Sequence, residues 1–376
     1  MSTSTSNAVR RIVVAPRPLR IAVVAPPYFS VPPHAYGGVE AVVAGLVDTL
    51  VSHGHHVTLV AAGRNGTRAQ EFVQTWADPP AHLLGGSIGE VINAARVLAG
   101  LRLDSVDLVH DHTLAGPLLA ASRRVPTVVT VHGPLDELAD VYRPLGRTVQ
   151  LVAISRAQTR QAPELNWVGA VPNGIDVDSF PFRSRKDDYV LFLGRHHPTK
   201  APHLAIAAAK AAGVRILLAA KCNEKVEHEY YEREIRPRLG DDVIDVGVAD
   251  AARKRRLLAG ARCLVFPVCW DKPFGLVMTE AMACGTPVVA LARGAVPEVV
   301  AHGRTGFVVD RPDELAAAIL RTHELDPAEC RAWVGERFSL EAMSRGYERV
   351  YRTVLGAGVT ASLSGLPVAG ADGSRS

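Results

Sequence analysis

Two basic side chains follow a strand-like run in the second half of this 376-residue sequence. The run at residues 190–193 leads into Gly194 and Arg195, and Lys200 stands just before a helix that we predict from about Ala201. Arg can hold phosphate oxygens with two donors, and Lys adds a point charge, so the loop suits a phosphate-bearing ligand. A solvated basic loop is the alternative, and it is weaker because the loop follows the carboxyl end of a strand.

A glycine pair opens the best-patterned helix of the chain. Gly37 and Gly38 stand before an amphipathic helix predicted over residues 38–53, and Glu40 lies in its first turn. Paired glycines let a backbone approach a ligand closely, and a helix N-terminus offers free N–H groups to a phosphate. The same pattern fits equally well a loop that needs positive φ angles.

A single carboxylate stands in a long apolar stretch. Glu280 is the only charged residue in 273–292, and its small or apolar neighbours predict a buried helix. A buried carboxylate must be paired or hydrogen-bonded. The ribose hydroxyls of a nucleotide would suit it, but from these residues alone an internal partner is slightly favoured.

Histidines end two strand-like runs in the first half. His132 follows the run at 127–131 and precedes a Gly-Pro turn, while His110, Asp111 and His112 end the preceding run. His132 could hydrogen-bond a substrate or a leaving group, although a lone loop histidine is more often satisfied internally. The His-Asp-His run suggests a metal site, but no third ligand is evident, so contact with an acceptor or plain packing is favoured.

These side chains require alternating strands and helices to position them. Apolar strand-like runs are predicted at residues 21–25, 57–61, 108–110, 127–131, 151–154, 190–193, 215–219, 263–266 and 287–291. Continuous apolar runs, rather than alternation, suit parallel strands covered on both faces. Repeated βα units therefore predict an α/β protein with two Rossmann-like, doubly wound parallel-sheet domains that face a central ligand-binding cleft.

The predicted divisions of the chain follow from local composition. The expected segments are a flexible extension at 1–19, two α/β domains at 20–182 and 183–337, a further helix within 338–355, and a disordered tail at 356–376. From its own residues, the further helix could pack on either domain.

The overall composition excludes several classes of protein. Hydrophobic residues make up 48% and charged residues 21%, which is typical of globular domains. The net charge of +4 is too small over this length to indicate a nucleic-acid groove. The five cysteines lack Cys-x-x-Cys spacing, which argues against a disulfide framework or a zinc ribbon and favours a reducing cytosol. No targeting or membrane-spanning segment is evident.

Taken in order, the motifs resemble the retaining GT-B glycosyltransferases of family 4, over about residues 20–355. The matching segments are 37–40, 171–176, Gly194-Arg195 with Lys200, 274–289 and 294–307. The resemblance implies that the first domain is the acceptor side, that the second binds a nucleotide sugar, and that the last helix crosses back onto the first. It implies a bacterial, cytoplasmic enzyme without a cofactor or a metal ion.

The resemblance also assigns roles to single residues. His132 would contact the donor sugar, while Arg195 and Lys200 would neutralise the diphosphate, whose leaving phosphate takes the acceptor proton. Glu280 would accept hydrogen bonds from the ribose. The remaining donor-binding residues would be Gly37, Gly38, Phe274, Gly275, Leu276 and Lys272, with Asp111 and His112 on the acceptor side. The donor would be a nucleoside-diphosphate hexose, UDP-linked in preference to GDP-mannose, and the acceptor an unidentified hydroxyl compound.

Lys272 departs from the family pattern, which usually has two glutamates separated by seven residues. The second is Glu280, but the first position holds Lys272, whose side chain only donates and is positive. Three interpretations follow: an anionic group on the donor sugar, a neutral sugar transferred at reduced activity, or a nucleotide-sugar-binding protein without catalysis. Ala201 is a smaller departure, since the family often has Gly there.

Contact with a membrane surface is a further expectation, because some related enzymes act on lipid-linked acceptors. A basic face on the first domain could support it, at the inner side of the membrane; its candidate residues are Arg123, Arg124, Arg143, Arg147, Arg156 and Arg160. A solvated surface is the favoured alternative. No nucleic-acid partner is expected.

Overall fold

The computed structural model describes residues 17–34, 37–136 and 138–363. Its thirteen strands are β1 (Arg20–Val24), β2 (His56–Ala62), β3 (Glu71–Trp76), β4 (Leu108–Asp111), β5 (Thr127–Val131), β6 (Gln150–Ala153), β7 (Trp167–Ala170), β8 (Val190–Arg195), β9 (Ile216–Lys221), β10 (Val243–Asp245), β11 (Cys263–Phe266), β12 (Val288–Leu291) and β13 (Gly306–Val309). Its α-helices are α1 (Gly38–Ser52), α2 (Ser87–Gly100), α3 (Leu138–Tyr142), α4 (Arg156–Gln161), α5 (Pro202–Ala212), α6 (Lys225–Tyr230), α7 (Ala251–Gly260), α8 (Leu276–Ala283), α9 (Val296–Val299), α10 (Leu315–Arg321), α11 (Pro327–Arg337) and α12 (Leu340–Leu363).

The strands form two parallel sheets. The first has seven strands in the order β3-β2-β1-β4-β5-β6-β7, and the second has six in the order β10-β9-β8-β11-β12-β13. Each chain half begins in the middle of its sheet and winds outward in both directions, with helices on both faces, as a doubly wound fold requires. The predicted α/β class with two Rossmann-like domains is therefore confirmed.

The central strands are buried because they are continuously apolar. The last four residues of β1 and all four of β11 lie in the core. Helix α1 turns its Val42, Leu46 and Leu50 stripe onto the first sheet, as its spacing predicted. Covering both faces in this way leaves the carboxyl ends of the strands as the open edge of each domain.

Four strands were missed by the sequence patterns, and all four are sheet edges: β3 and β7 in the first sheet, β10 and β13 in the second. Residues of β7 are only half-buried, and β3 carries exposed or half-buried residues at five positions of six. An edge strand needs no continuous apolar run, so the signal that predicted the inner strands is absent there.

Helix α12 packs on the first domain. Met343, Tyr347 and Tyr351 join the core cluster of β1 and α1. The chain returns beside the linker, where the Ile175 N–H donates to the Phe338 carbonyl at 2.8 Å and the Leu340 N–H donates to the Ile175 carbonyl at 3.2 Å. The two crossings between the domains are thus hydrogen-bonded to each other.

The chain ends differ in part from their predicted state. Residues 1–16 and 364–376, where an extension and a tail were expected, lie outside the described residues. Leu19 is buried, and its N–H donates to His55 Nδ1 at 2.9 Å, so the last residues of the expected extension are fixed. Helix α12 continues to Leu363, past the predicted start of the tail. Within the described residues, no helix combines the length and apolar character needed to cross a membrane.

Candidate functional site

The glycine pair and the start of α8 face each other across the cleft. A Cβ atom built on Gly38 would lie 3.4 Å from Leu276 Cδ1, so the two domains are in contact distance at this point. Gly37 has φ 144° and packs against Pro33, where a Cβ would approach the proline Cβ to 2.8 Å. A side chain is excluded there by both conformation and space.

Glu40 lies behind this glycine pair, in the first turn of α1. It is buried, and burial raises the pKa of its carboxyl to about 7, with the nearby Glu90 adding to the effect. The first wall of the cleft therefore carries a carboxyl group that is uncharged in a large fraction of molecules at neutral pH.

The first amides of α8 form part of the opposite wall. Phe274 is buried and packs edge-on against Phe338, which fixes the backbone that enters the helix. Gly275 is the N-cap residue, and a Cβ there would approach Met278 Cε to 2.7 Å. The N–H groups at the start of a helix have no intrahelical acceptor, so Gly275, Leu276 and Val277 can offer donors to an anion.

The loop from β11 to α8 holds Lys272 by its backbone. The Ala295 N–H donates to the Lys272 carbonyl at 3.0 Å, and the Gly294 N–H donates to Asp271 Oδ1 at 2.9 Å. Gly294 has φ 52°, and a Cβ there would collide with the Lys272 backbone, reaching its N atom to 2.5 Å. This packing fixes where the Lys272 side chain starts.

Lys200 and Lys272 approach each other over one aromatic ring. Their Nζ atoms lie 5.2 and 5.1 Å from the centre of the Trp270 ring, and the two amino groups are within hydrogen-bonding reach of each other. Burial and the positive charge of Lys272 lower the pKa of Lys200 to about 7. Burial is also the main cause of a lowered pKa at Lys272. Like charges at this distance disfavour the doubly protonated pair.

Arg195 is held by acids. Its Nη1 atom lies 2.7 Å from Glu224 Oε1 and 3.1 Å from Glu227 Oε1. Glu227 has no exposed surface and also accepts from the backbone N–H groups of Asn223 and Glu224. The positive charge of Arg195 is thus offset within the protein, while the part of the chain that the structure describes offers the lysine pair no carboxylate.

Glu280 has an internal partner, as its own residues slightly favoured. Lys254 Nζ, on α7, donates to Glu280 Oε1 at 2.7 Å. The Glu280 side chain keeps 15% of its surface exposed. The carboxylate is therefore oriented by a lysine on a side chain that keeps some exposed surface, and its contact with a ribose stays a prediction.

His132 and His112 lie in contact at the carboxyl ends of β4 and β5. His112 Nδ1 is 2.9 Å from His132 Nε2, and the two rings are stacked with centroids 5.2 Å apart. Burial lowers the pKa of His132 to about 4 and that of His112 well below its ordinary value. Both rings are thus neutral at physiological pH and can act only as hydrogen-bonding groups there.

His110 and two tyrosines of α12 continue this network inward. His110 donates to or accepts from Tyr351 Oη at 2.7 Å and Thr130 Oγ1 at 2.8 Å, and Tyr347 Oη meets Thr130 Oγ1 at 2.9 Å. Burial lowers the pKa of His110 to about 3. The last helix therefore supports the strand ends that carry the two outer histidines.

Asp111 lies in the same run but its carboxylate points inward. It has no exposed surface, accepts from the Thr113 N–H and hydroxyl at 3.0 and 2.6 Å, and faces Arg123 at 3.4 Å. Its part in binding an acceptor stays a prediction, and in this arrangement it holds the loop that follows β4.

The expected basic face is reduced by internal pairing. Arg123 is 3% exposed beside Asp111, Arg143 pairs with Asp140 and Glu164, and Arg160 faces Glu298 of the second domain. These three side chains lie in ion pairs rather than forming a free cationic surface.

A cavity of about 360 Å³ opens between the domains beside Trp270. Its other lining residues are Pro134, Leu135, Asp136, Ala139, Arg143, Gln161 and Asp271. It combines residues that follow β5 with the loop that carries Lys272, so a molecule bound there would touch both domains. No group of three or more His, Cys, Asp or Glu residues with metal-binding geometry occurs in the described part of the chain.

Four contributors to the site were missed by the sequence patterns: Trp270, Lys254, Glu224 and Glu227. Trp270 could have been predicted from the sequence, because it follows the carboxyl end of a strand and stands two positions before Lys272. The other three lie on α6 or α7 or just before them, and their role depends on side chains brought together only by folding.

Two family matches cover successive parts of the chain. Glycosyltransferase Family 4 matches residues 36–179, and Glycosyl transferases group 1 matches residues 187–324. The phosphatidyl-myo-inositol mannosyltransferase of Mycolicibacterium smegmatis is 29% identical, over 92% of this chain and 97% of its own. The D-inositol 3-phosphate glycosyltransferase of Mycobacteroides abscessus is 35% identical over 45% of this chain and 41% of its own.

Solved structures share the architecture. AviGT4, a glycosyltransferase involved in avilamycin A biosynthesis, superposes with a TM-score of 0.70 at 26% identity, covering 90% of this chain and 98% of its own. HepE of Anabaena, solved with UDP-glucose, superposes with a TM-score of 0.65 at 19% identity, over 92% of this chain and 100% of its own. With its two facing parallel-sheet domains and these matches, the chain belongs to the group 1, family 4 glycosyltransferases and is a glycosyltransferase with the GT-B fold.

Proposed function

We propose that this enzyme transfers a hexosyl group from a nucleoside-diphosphate sugar to a hydroxyl acceptor, with retention of the anomeric configuration. The observation that carries the proposal is the pair of lysine amino groups over Trp270, in the loops that lead into α5 and α8, together with the approach of Leu276, at the start of α8, to Gly38 across the cleft. Among the described residues neither lysine forms an ion pair with a carboxylate, and such cations, in the loop that leads to free helix amides, suit a phosphate-bearing ligand.

The roles of the other residues follow from where they lie. Glu280, oriented by Lys254, would accept hydrogen bonds from the ribose, and the α8 amides would meet the diphosphate or the transferred sugar. His132 is neutral and bonded to His112 through Nε2, so its Nδ1 atom is the one available to the donor sugar. His112, which is hydrogen-bonded to His132, would lie on the acceptor side of the donor sugar.

Positive side chains would neutralise the charge of the diphosphate, and for this reason we propose a reaction without a metal ion. As the bond to the anomeric carbon breaks, the leaving diphosphate gains negative charge, and cations placed beforehand stabilise it more than they stabilise the bound donor. The leaving phosphate oxygen would take the proton of the acceptor hydroxyl.

The relatives narrow the choice of donor and acceptor for testing. One is named for mannosyl transfer to phosphatidyl-myo-inositol and another for D-inositol 3-phosphate, while HepE was solved with UDP-glucose. We keep a UDP-sugar as the favoured donor and GDP-mannose as the second, and we include inositol compounds among the acceptors to be tried.

The test is a panel of UDP-, GDP- and ADP-sugars, uronic acids included, scored for donor hydrolysis and for transfer with and without EDTA. We expect turnover with one nucleotide class, unaffected by EDTA, and an NMR-assigned product with the donor's anomeric configuration. An inverted product would contradict retention, and loss of turnover in EDTA would contradict metal independence.

A second candidate is a nucleotide-sugar-binding protein without efficient catalysis, and Lys272 is the observation that favours it. Comparison of Lys272→Glu with the parent separates the two functions. A large gain in donor hydrolysis would support the impaired protein, whereas a loss would indicate that Lys272 itself assists the reaction.

We also propose that α2 and the residues flanking it touch a lipid surface. The apolar side chains Ile88, Val91 and Leu98 recur at helical spacing on α2, Leu84 precedes the helix, and each is at least half exposed. Leu118 adds to the same region. Glu90 of this helix accepts from the Leu114 and Ala115 N–H groups, close in sequence to His112, which supports a lipid contact near the proposed acceptor side. An apolar face of this kind binds membrane interfaces through buried area.

Vesicle sedimentation tests this contact, with phosphatidylcholine vesicles and with vesicles that contain phosphatidylinositol. We expect binding to be lost in an Ile88→Ser, Val91→Ser double variant and kept in Leu320→Ser, a matched exposed leucine on α10. Equal binding of both variants would contradict a role for α2.

A further inference from the structure

The lysine pair lacks the ion-pair partners that other charged groups of the site possess. Lys200 and Lys272 both face the Trp270 ring, and within the described ranges neither forms an ion pair with a carboxylate. Two adjacent, partly buried ammonium groups repel each other and lose hydration, so their proximity costs stability unless an anion joins them.

The acids that lie near in sequence are engaged elsewhere. Asp271 accepts from the Gly294 N–H, and Glu280 accepts from Lys254. The nearby arginine is already neutralised, because Arg195 faces both Glu224 and Glu227. Glu227 cannot turn away easily, since two backbone amides hold its other oxygen.

We propose that Lys272 is a diphosphate-binding residue that works with Lys200, in the place that Arg195 would otherwise take. The inference rests on the proposed function, because the diphosphate belongs to that donor. The charges match, since a diphosphate esterified at both ends carries two negative charges and the pair supplies two positive ones. If Lys272 instead bound a carboxylate on the sugar, Lys200 would meet the diphosphate without the second lysine of the pair.

The lysine pair also suits the change in charge on the diphosphate during glycosyl transfer. The bond between the anomeric carbon and the diphosphate oxygen breaks, its electrons stay on that oxygen, and a new bond forms from the acceptor oxygen to the anomeric carbon. The acceptor proton passes to the released diphosphate. Until it does, the leaving group carries one more negative charge, which a second ammonium group stabilises.

The test compares nucleotides that differ only in the second phosphate. Calorimetry first finds which of UDP, GDP and ADP binds the parent enzyme, and the matching monophosphate is then measured. We expect Lys272→Met to weaken diphosphate binding by about 10- to 100-fold, the range of a hydrogen bond between charged groups, and to change monophosphate binding less than about threefold.

Two further variants keep the result interpretable. Lys272→Arg preserves the charge and should retain most of the preference for the diphosphate. Lys225→Met removes an exposed lysine of α6, whose side chain is 92% exposed, and should change neither affinity. Thermal unfolding of each variant establishes that it is folded.

The inference and the proposed function fail in different ways. If the parent binds no nucleoside diphosphate, the proposed function is wrong and the inference falls with it. If the parent binds one and Lys272→Met binds it equally well, only the inference is overturned. It is also overturned if Lys272→Met loses affinity for UDP-glucuronate but not for UDP-glucose or UDP, since Lys272 would then bind the sugar.

Discussion

The carboxyl ends of the two sheets carry polar clusters that are built in opposite ways. In the first domain, His112 and His132 are hydrogen-bonded to each other, and His110 is hydrogen-bonded to Thr130 and to Tyr351 of α12. In the second, Lys200 and Lys272 face one ring and have no carboxylate partner among the described residues.

The difference indicates that one cluster mainly stabilises the fold and that the other is suited to binding a ligand. Buried polar groups that satisfy each other stabilise the fold and need no ligand. Charged groups left near each other without a counter-charge reduce stability until a ligand supplies it, and such groups are typical of functional sites. Changes around His110, whose two ring nitrogens are both hydrogen-bonded within the protein, should therefore affect folding, and changes in the lysine pair should affect ligand binding.

The largest effect is expected from Gly294→Ala. The new Cβ would collide with the Lys272 backbone, and φ 52° is unfavourable for a residue other than glycine, so the loop must shift. We expect a loss of about 2–4 kcal/mol in the free energy of unfolding, together with weaker nucleotide binding. Urea denaturation and calorimetry measure the two.

Gly303→Ala is the matched control, because its φ is 75° but nothing lies within 4 Å of the added atom. It should lower the free energy of unfolding by about 1–2 kcal/mol, through the unfavourable backbone conformation alone, and leave nucleotide affinity unchanged. Equal effects of both variants on affinity would show that the contact with Lys272 is unimportant.

Next in size is Tyr351→Phe, which tests the other side of the comparison. Removing the hydroxyl leaves His110 Nδ1 buried without its partner, so we expect a loss of about 1–3 kcal/mol in the free energy of unfolding. Nucleotide affinity should stay within about twofold. Thr353→Ala, on the exposed side of the same helix, should change stability by less than about 0.5 kcal/mol.

The third expectation concerns pH. Because the pKa of Lys200 is lowered to about 7, its amine loses its proton as pH rises through 7, whereas a bound diphosphate favours the ammonium form. Binding should therefore take up a proton and weaken as pH rises above 7, by up to about tenfold per pH unit. Calorimetry from pH 6 to 9 checks this slope.

Glu40 titrates in the same range, since its pKa is raised to about 7, and its carboxylate would also disfavour an anion at higher pH. The variants Glu40→Gln and Lys200→Met separate the two groups. A slope that survives in Lys200→Met but disappears in Glu40→Gln would assign the pH effect to the glycine loop and not to the lysine pair.

A smaller effect is expected from Lys272→Met in the absence of ligand. The substitution removes one of two repelling charges while keeping an apolar stem, so the free energy of unfolding should rise by about 1 kcal/mol. Denaturation of the parent and the variant without nucleotide measures it. A clear loss of stability would mean that the ammonium group is satisfied by the protein.

The smallest effect is expected from Ala201→Gly. Ala201 has φ 50° and precedes α5, a conformation that glycine adopts without strain. We expect a gain of about 0.5–1 kcal/mol in the free energy of unfolding. Ala207→Gly, on the exposed face of α5, should lose about 1 kcal/mol and serves as the control.

Much of the fold was predictable because inner parallel strands need continuous apolar runs. β1, β5 and β11 lie where such runs were found, whereas the edge strands β3 and β10 were missed because solvent on one side relaxes that demand. The ordered motifs also predicted which residue types meet at the cleft. Their side-chain partners were not predictable, since Glu280 pairs with Lys254 and Arg195 with Glu224 across separate elements.

The sequence by itself determined the two series of βα units and the motifs at the carboxyl ends of their strands, because apolar periodicity and turn residues act locally. Only the tertiary structure decided which charges are neutralised. Arg195 and Lys272 are both cations of one site by sequence. Folding brings two glutamates to Arg195, whereas among the described residues Lys272 meets Lys200 and the Trp270 ring but forms no ion pair with a carboxylate. That outcome depends on burial and on distances between elements far apart in the chain, which local patterns do not contain.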